Sequence, residues 1–590
     1  MKKFLKYTLA TFTGGIVAGL VVILFIFIGI AGIVSIASLS EQPQTIKDKT
    51  IFLLELNGPI VERASDSPFE DLIAGMSEGP TTEGLNHILQ NIEKAAKDPK
   101  ISGILLQSGM LSTGYATVEE IRNALIKFKE SGKFIYSFAP VYTQKSYYLA
   151  SVADKIYMTP EGMLEFSGIH SQRMFFKNTL DKLGVEMQIF KVGKYKSAVE
   201  PFVNEKMSDA SREQTEVFIN SLWSHVKSKI SDSRNISIDS LDLLADQMAL
   251  FMDQQILLDS KLIDGLIYKD ELIDELKELT GTEQKDDLNA VSNRKYAKVI
   301  VEDDSKGFVR DKLAIIYASG EIDGGGADGI KSDDLSKTIR QARRDSSIKA
   351  IVLRINSPGG SALGSDIIWR EVQLAKQTKP VVVSMGDLAA SGGYYIACAA
   401  DSIVAQPTTI TGSIGIFGMI PNAKGLFNKL GLTFDGVKTN KYSDMPSIDR
   451  PFTKDEKELL QAFVERGYRT FLKRCADGRH TTTDSIDLIG EGRIWSGDDA
   501  IGINLVDKTG NINDAIEIAK RMGGKDAYRL VELPELEDPF QLLLKSIGGE
   551  AKAWMRSAFF GEDLEYLETI KSLKDGYPIQ ARLPYNMTVN

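Results

Sequence analysis

The sequence predicts an α/β protein, a tandem repeat of one layered unit with helical extensions, preceded by one transmembrane helix. Three observations predict it. Apolar runs with strand character alternate with segments of helical spacing, the pattern of a largely parallel sheet covered by helices. The order of these elements in the first half recurs in the second. Finally, Lys2, Lys3 and Lys6 precede an uncharged run from Tyr7 to Ser40 whose centre, Ile16 to Ala37, is almost wholly apolar. A spanning helix needs only about 20 such residues, and the core of a cleaved secretory signal is shorter, about 7–15.

The lysines ahead of the run should stay cytoplasmic, which carries everything after Ser40 across the membrane. Glu41 to Lys49 reads as a polar linker and Thr50 to Leu56 as a strand ended by Asn57-Gly58-Pro59. Ile101 to Leu106 and Lys133 to Phe138 are strands. Between them Val118, Ile121, Ala124, Leu125 and Phe128 recur at helical spacing. Gln144 to Ala153 is a helix, as are Ala210 to Ile230 and segments up to Leu279. The polar stretch Gly281 to Arg294 puts a boundary near residue 300. In the second half Leu313 to Tyr317, Ala350 to Ile355, Pro380 to Ser384 and Ser402 to Val404 read as strands. Leu363 to Ala375 reads as a helix, and Gly324-Gly325-Gly326 as a flexible loop. The expected organisation is a cytoplasmic stub and anchor at 1–40, a first unit at 41–300, a second at 301–525 and a tail at 526–590. The tail is read as lacking a counterpart in the first half and packing on the core or between subunits.

At 590 residues the chain exceeds one ordinary domain, and 43% hydrophobic with 25% charged residues is the composition of a folded protein. A net charge of −10 opposes broad nucleic-acid binding. Cys398 and Cys475 form no C-x-x-C, and His87, His170, His225 and His480 form no H-x-x-x-H. Neither a disulfide framework nor a metal site is indicated, and no cofactor is expected.

The repeat can be checked residue by residue. At a constant offset of 247, Tyr147-Tyr148 matches Tyr394-Tyr395, Ala153-Asp154 matches Ala400-Asp401, Gly168-Ile169 matches Gly415-Ile416 and Lys194-Tyr195 matches Lys441-Tyr442. The copies differ where chemistry is at stake. Ser391 sits between the apolar run Val381-Val382-Val383 and an Ala-rich helix, flanked by Gly392 and Gly393. It reads either as a helix cap or as a nucleophile beside the free N–H groups of a helix start. The first copy has Gln144 there, and Met110-Leu111-Ser112-Thr113 where the second has Ser357-Pro358-Gly359-Gly360. Conversely, Lys196 in the first copy matches Ser443 in the second. One copy holds a candidate nucleophile and the other a candidate base, which suggests one composite site; drift is the plainer alternative. A serine hydroxyl needs a base, and a buried lysine can serve once burial has lowered its pKa. No histidine lies near Ser391 in sequence, and His170, after Gly168-Ile169, is the one deserving inspection.

Four motifs carry a resemblance: Gly386-Asp387-Leu388-Ala389-Ala390-Ser391-Gly392-Gly393-Tyr394-Tyr395, Ser357-Pro358-Gly359-Gly360, Thr411-Gly412-Ser413-Ile414-Gly415 and Lys194 to Phe202. With them the sequence resembles, over nearly its whole length, the long two-repeat form of the signal peptide peptidase A family. The resemblance implies a crotonase/Clp-protease-like fold and a Ser/Lys dyad, with Ser391 as nucleophile and Lys196 as general base. It implies that Ser413 holds the lysine amine and that backbone N–H groups of Gly359 or Gly360 and of Gly392 form the oxyanion hole. It further implies substrates that are remnant signal peptides and other short or unfolded peptides. A homotetramer is implied, anchored in the bacterial inner membrane through lipid contacts of its N-terminal helix, with the soluble part on the periplasmic side. Two alternatives stand beside it. A crotonase-like acyl-CoA enzyme is opposed by the expected side of the membrane. A non-catalytic membrane scaffold is opposed by the intact Ser391, Lys196 and glycine pairs.

Overall fold

A computed structural model describes residues 13–15, 45–64, 82–301, 309–324, 329–524 and 527–536 and the backbone of 579–582. The apolar run expected to span the membrane lies outside these residues except for 13–15, and so does the middle of the Gly324-Gly325-Gly326 loop. Among the described residues no helix is long and apolar enough to cross a bilayer.

The first half contributes β1 (Thr50–Val61), β2 (Glu83–Gly84), β3 (Ile101–Ser112), β4 (Phe134–Tyr142), β5 (Lys155–Leu164), β6 (Glu186–Lys191), β7 (Gly265–Leu266) and β8 (Ala290–Ser292). All but β6 form one parallel sheet, ordered β2-β1-β3-β4-β5-β7 with β8 on β1. The second half contributes β9 (Lys312–Ser319), β10 (Ile348–Ser357), β11 (Gly359–Ser361), β12 (Val381–Ala390), β13 (Ser402–Ala405), β14 (Ile410–Gly412), β15 (Phe417–Asn422), β16 (Ile494–Ser496), β17 (Lys508–Thr509), β18 (Arg529–Leu533) and β19 (Ile579–Arg582). Its main sheet is ordered β16-β14-β12-β10-β9-β18, with β13 on β12 and β17 on β13. A third, antiparallel sheet runs β11-β19-β15-β6 and so takes strands from both halves.

The helices that matter for the site are α1 (Leu85–Lys97), α2 (Tyr115–Lys129), α3 (Gln144–Ala150), α4 (Asp209–Arg234), α5 (Lys269–Thr280), α6 (Ser332–Arg344), α7 (Ala362–Lys376), α8 (Gly392–Ala397), α9 (Lys454–Gly478) and α10 (Ile512–Gly523). They form where apolar residues recur every three or four positions: Leu85, Ile88, Leu89, Ile92 and Ala95 make the buried face of α1. Helices α1, α2 and α3 recur as α6, α7 and α8. The tandem α/β repeat is therefore present in the fold.

Along β10 the side chains alternate between two cores, as period-two geometry requires. Ala350 and Val352 join α10 and the first half's apolar cluster, whereas Ile351 and Leu353 join the helices α6 to α9. Both faces are covered, which explains the uninterrupted apolar runs. Polar contacts also join the halves. Arg354 on β10 donates to Glu62 and Glu120 of the first half, each at 2.7 Å, in a buried cluster. Asp387 on β12 accepts from Gly114 N–H at 3.1 Å, Thr117 N–H at 2.9 Å and Thr117 Oγ1 at 2.7 Å, capping α2.

Two expectations are corrected. Asn57-Gly58-Pro59 does not end β1, because a register irregularity between Leu56 and Gly58 absorbs these residues and the strand continues to Val61. The stretch after 526 does have a counterpart in part. Val531 of β18 pairs with Ala314 of β9 as Val291 of β8 pairs with Phe52 of β1. An ungapped comparison hides this, since intervening deletions have moved the register.

Candidate active site

The route to the site begins with β6. It pairs antiparallel with β15, Lys191 opposite Phe417, and so leads the first half's chain onto the second half. Beyond β6 the chain stays attached: Val192 N–H donates to Ile416 O at 3.4 Å and Tyr195 N–H to Glu491 O at 3.0 Å. This close approach needs glycine on both sides. A Cβ on Gly193 (φ +91°) would lie 2.3 Å from Glu491 O, and one on Gly492 (φ +83°) 2.6 Å from Lys196 N. Lys196 is thereby delivered beside β12 and β14.

Ser391 follows the last residue of β12. Its N–H donates to Gly412 O at 2.8 Å. It occupies the N-cap position of α8 with φ +57° and ψ −114°, and its side chain makes no capping bond. Such a conformation costs about 1–3 kcal/mol in a non-glycine residue and persists only where the surroundings enforce it. The cap reading of Ser391 is therefore set aside by geometry: its hydroxyl points elsewhere. Lys196 Nζ lies 2.8 Å from Ser391 Oγ, 3.1 Å from Ser413 Oγ and 3.2 Å from Ser413 O. Ser413 is also held at positive φ, +50°, with its N–H donating to Arg493 O at 2.7 Å.

Lys196, Ser391 and Ser413 are each 0% exposed. Burial lowers the Lys196 pKa well below that of an ordinary lysine. Among the described residues, none of the oxygens that hold its amine belongs to a carboxylate. A neutral amine has two N–H donors and one lone pair. The two Ser413 oxygens and the Ser391 hydroxyl surround the amine. His170 is exposed, and the hydrogen bonds at Ser391 among the described residues reach no histidine.

The glycine loops lie alongside. Gly392 is the first residue of α8, so the helix has no carbonyl to accept its N–H. Gly393 packs against the other loop so closely that a Cβ would lie 2.6 Å from Ser357 O. Gly359 N–H donates to Ser357 Oγ at 3.2 Å. Gly360 (φ +152°) could carry no side chain, because a Cβ would lie 2.2 Å from Ile322 O.

The corresponding place in the first half is filled. Gln144 Oε1 accepts from Ser167 N–H at 3.1 Å and Gly168 N–H at 2.9 Å, and its Nε2 donates to Tyr115 Oη at 3.0 Å. Lys145, which stands where Gly392 does, donates to Thr113 O at 2.9 Å. Ser443, the match of Lys196, is exposed. The structure thus brings together the two residues that the repeat comparison singled out. Sequence reasoning gave no role to Gly193, Gly492 or Asp387. A Gly-Lys-Tyr-Lys or Glu-Gly-Arg stretch carries no visible sign of what it touches.

A buried serine hydroxyl beside a buried amine of lowered pKa and a helix start is the equipment of a serine hydrolase acting through an acyl-enzyme. Comparison with known proteins places the chain more narrowly. The profile of Peptidase family S49 matches residues 127–283 and 373–525, one stretch in each half, and the chain belongs to that family as a serine peptidase of the long, two-repeat signal peptide peptidase A type. It is 33% identical over 578 residues to Protease 4 of Salmonella typhi, covering 94% of this chain and 91% of that one. It is 32% identical to the chloroplastic serine protease SPPA of Arabidopsis thaliana, covering 92% of this chain and 78% of that one. A putative protease of Synechocystis is 34% identical and matches 42% of this chain with 87% of its own length, so a half-length relative exists.

Proposed function

We propose that the chain is a membrane-anchored endopeptidase in which Ser391 is the nucleophile and Lys196 the general base, degrading cleaved signal peptides and other short or unfolded peptides. The observation that carries this reading is the 2.8 Å separation of Lys196 Nζ and Ser391 Oγ with both residues buried. Lys196 takes the hydroxyl proton as Ser391 attacks a peptide carbonyl. The same proton goes to the departing amine, leaving an acyl-enzyme, and Lys196 then activates the water that hydrolyses it. Ser413 orients the amine. Gly360 and Gly392 supply the N–H groups for the oxyanion; the Gly359 N–H is engaged by Ser357, which favours Gly360 of the two loop glycines. No metal or cofactor enters the scheme.

The apolar run Ile16 to Ala37 supports an anchor in the bacterial inner membrane with the peptidase on the periplasmic side. The proposed division gives Lys196 to a unit at 41–300 and Ser391 to a unit at 301–525, with β18 added to the second. The repeat also supports a homo-oligomer. β6 finds β15 within the chain, but its match in the second half, residues 433–438, forms no strand and is exposed. Phe434 and Val437 there, Leu432 just before it, and Met174 in the stretch matching β15 are exposed large apolar residues. Head-to-tail pairing between copies would use both and close into a ring.

Labelling with a serine-reactive phosphonate tests the dyad. Modification is expected at Ser391, and Lys196→Ala, folded by circular dichroism, is expected to abolish it. Undiminished labelling of that variant removes Lys196 from the mechanism, and undiminished peptide cleavage by Ser391→Ala ends the serine reading.

A further inference from the structure

Helix α4 turns an apolar stripe to the core over Phe218, Leu222, Val226 and Ile230. Its first two turns break that pattern. Ser211, Gln214 and Thr215 are buried there instead, and Gln214 is 1% exposed. A primary amide is costly to bury unless its hydrogen bonds are made. Those of Gln214 are made, and they gather around Lys196. Nε2 donates to Tyr195 O at 2.9 Å and to Ser197 Oγ at 3.0 Å, the residues on either side of the lysine. Oε1 accepts from Ile494 N–H at 3.2 Å.

Ile494 is the first residue of β16 and pairs with Gly412 on β14. Gly412 O holds the Ser391 N–H at 2.8 Å, and Arg493 O, one residue before Ile494, holds the Ser413 N–H at 2.7 Å. The dipeptide Arg493-Ile494 is therefore the common reference of both serines, and Gln214 ties the lysine's segment to it. That segment needs a tie, because Lys196 itself lies in neither helix nor strand. The charged groups around it hold the rim. Lys191 Nζ reaches Lys196 O at 3.4 Å, and Tyr195 Oη meets half-buried Arg493 at 3.0 Å and exposed Glu213 at 3.2 Å. The second half offers a comparison. Helix α4 is capped by Ser208 and its match α9 by Thr453. Counted from these caps, the place of Gln214 is taken in α9 by Leu459, which is exposed. The copy that has Ser443 in place of the lysine has no amide here.

We propose that Gln214 is a positioning residue for the general base: its amide clamps the residues on both sides of Lys196 to the Arg493-Ile494 backbone and so sets the approach of Nζ to Ser391. The inference rests on the reading of Lys196 and Ser391 as the dyad. Gln214 acts through the lysine, so it governs kcat and leaves KM alone. Loosening the segment would also admit water to the amine and return Lys196 towards ordinary lysine behaviour.

The test is steady-state cleavage of a fluorogenic peptide by the full-length chain carrying Gln214→Met, Ser197→Ala or Phe218→Ala. Gln214→Met keeps the length of the side chain and removes all three hydrogen bonds. A displacement of about 1 Å at a catalytic group can cost about 100-fold, so kcat is expected to fall about 100-fold with KM nearly unchanged. The acid limb of kcat/KM is expected at higher pH than in the parent chain. Ser197→Ala removes one of the two bonds that Gln214 donates, and a roughly fivefold fall in kcat is expected. It decides the matter where Gln214→Met fails to fold. Phe218→Ala, one turn along the same stripe, is expected to lower the urea midpoint with kcat unchanged. An unchanged kcat and acid limb in folded Gln214→Met, or in Ser197→Ala where the methionine variant does not fold, overturns the proposal. An equal fall in kcat for Phe218→Ala overturns it too, since the effect would then be one of stability. Ser391→Ala and Lys196→Ala run in parallel separate the two levels. Retained cleavage by either sinks the dyad itself. Both inactive, with kcat unmoved by Gln214→Met, sinks only the clamp.

Discussion

Among the described residues only neutral oxygens hold the amine of buried Lys196, and that choice of partners sets its pKa. A carboxylate would hold the amine protonated; hydroxyl and carbonyl oxygens leave burial as the dominant influence, and the pKa drops. In the proposed mechanism Lys196 acts as base only when unprotonated. Activity is therefore expected above the lowered pKa and its loss as pH falls through it, with the acid limb of kcat/KM well below the ordinary lysine value of about 10.4. Lys196→Arg, permanently charged, is expected to lower kcat/KM about 10²–10⁴-fold with phosphonate labelling lost. Ser413→Ala leaves the Ser413 carbonyl in place and removes one neutral hydrogen bond of about 1 kcal/mol, so a roughly fivefold fall in kcat is expected. Gly492→Ala acts by position. Its Cβ would sit 2.6 Å from Lys196 N, and a displacement of about 1 Å at a catalytic group can cost about 100-fold, read as kcat falling more than KM rises.

At the scale of elements, the β6–β15 pairing carries the lysine to the serine. Neither half supplies both, and the first half's equivalent place is stopped by Gln144 and Lys145. A second device holds the halves in register. Asp387, four residues before Ser391, takes the free N–H groups at the start of α2 in the other half. Asp387→Ala is expected to cost about 1 kcal/mol for the lost cap, measured as a shift in the urea midpoint. The C-terminal end of β12, before Ser391, is thus tied both to the sheet and to a helix of the first half. These elements were only partly legible beforehand. The strands β9, β10 and β12 and the helix α7 follow from apolar periodicity. The continuation of β1 past Pro59 and the return of β18 do not, because each depends on a partner strand distant in sequence.

At the scale of the whole molecule, the buried Arg354 holds two carboxylates, Glu62 and Glu120, across the junction. Removing it by Arg354→Met leaves both acids buried without their partner and is expected to cost about 3–5 kcal/mol in chemical unfolding. Burial, opposed by Arg354, pushes the Glu120 carboxyl up from 4.5 to about 7. Because the folded value is raised, the folded chain holds this proton more tightly than the unfolded one. The stabilisation is complete below pH 4.5 and is lost as pH rises to about 7. Glu120→Gln is expected to flatten the unfolding free energy across that window, and an unchanged slope would remove Glu120 as its source.

What the sequence determined by itself is the duplication and its asymmetry. A constant offset of matched residues survives only if two copies share a fold, and the complementary differences at Ser391 and Lys196 single out two residues from the chain. Side-chain pattern also decided the α/β class, since period and apolar content are local properties. The tertiary structure decided everything that depends on approach: the 2.8 Å contact over 195 residues of sequence, the glycines that permit it, and the capture of β19 beside the candidate oxyanion glycines. The physical reason is common to all three. Backbone hydrogen bonds and close packing join segments by shape and direction rather than by residue type, so a glycine or a short tail strand shows its role only when its neighbour is in place.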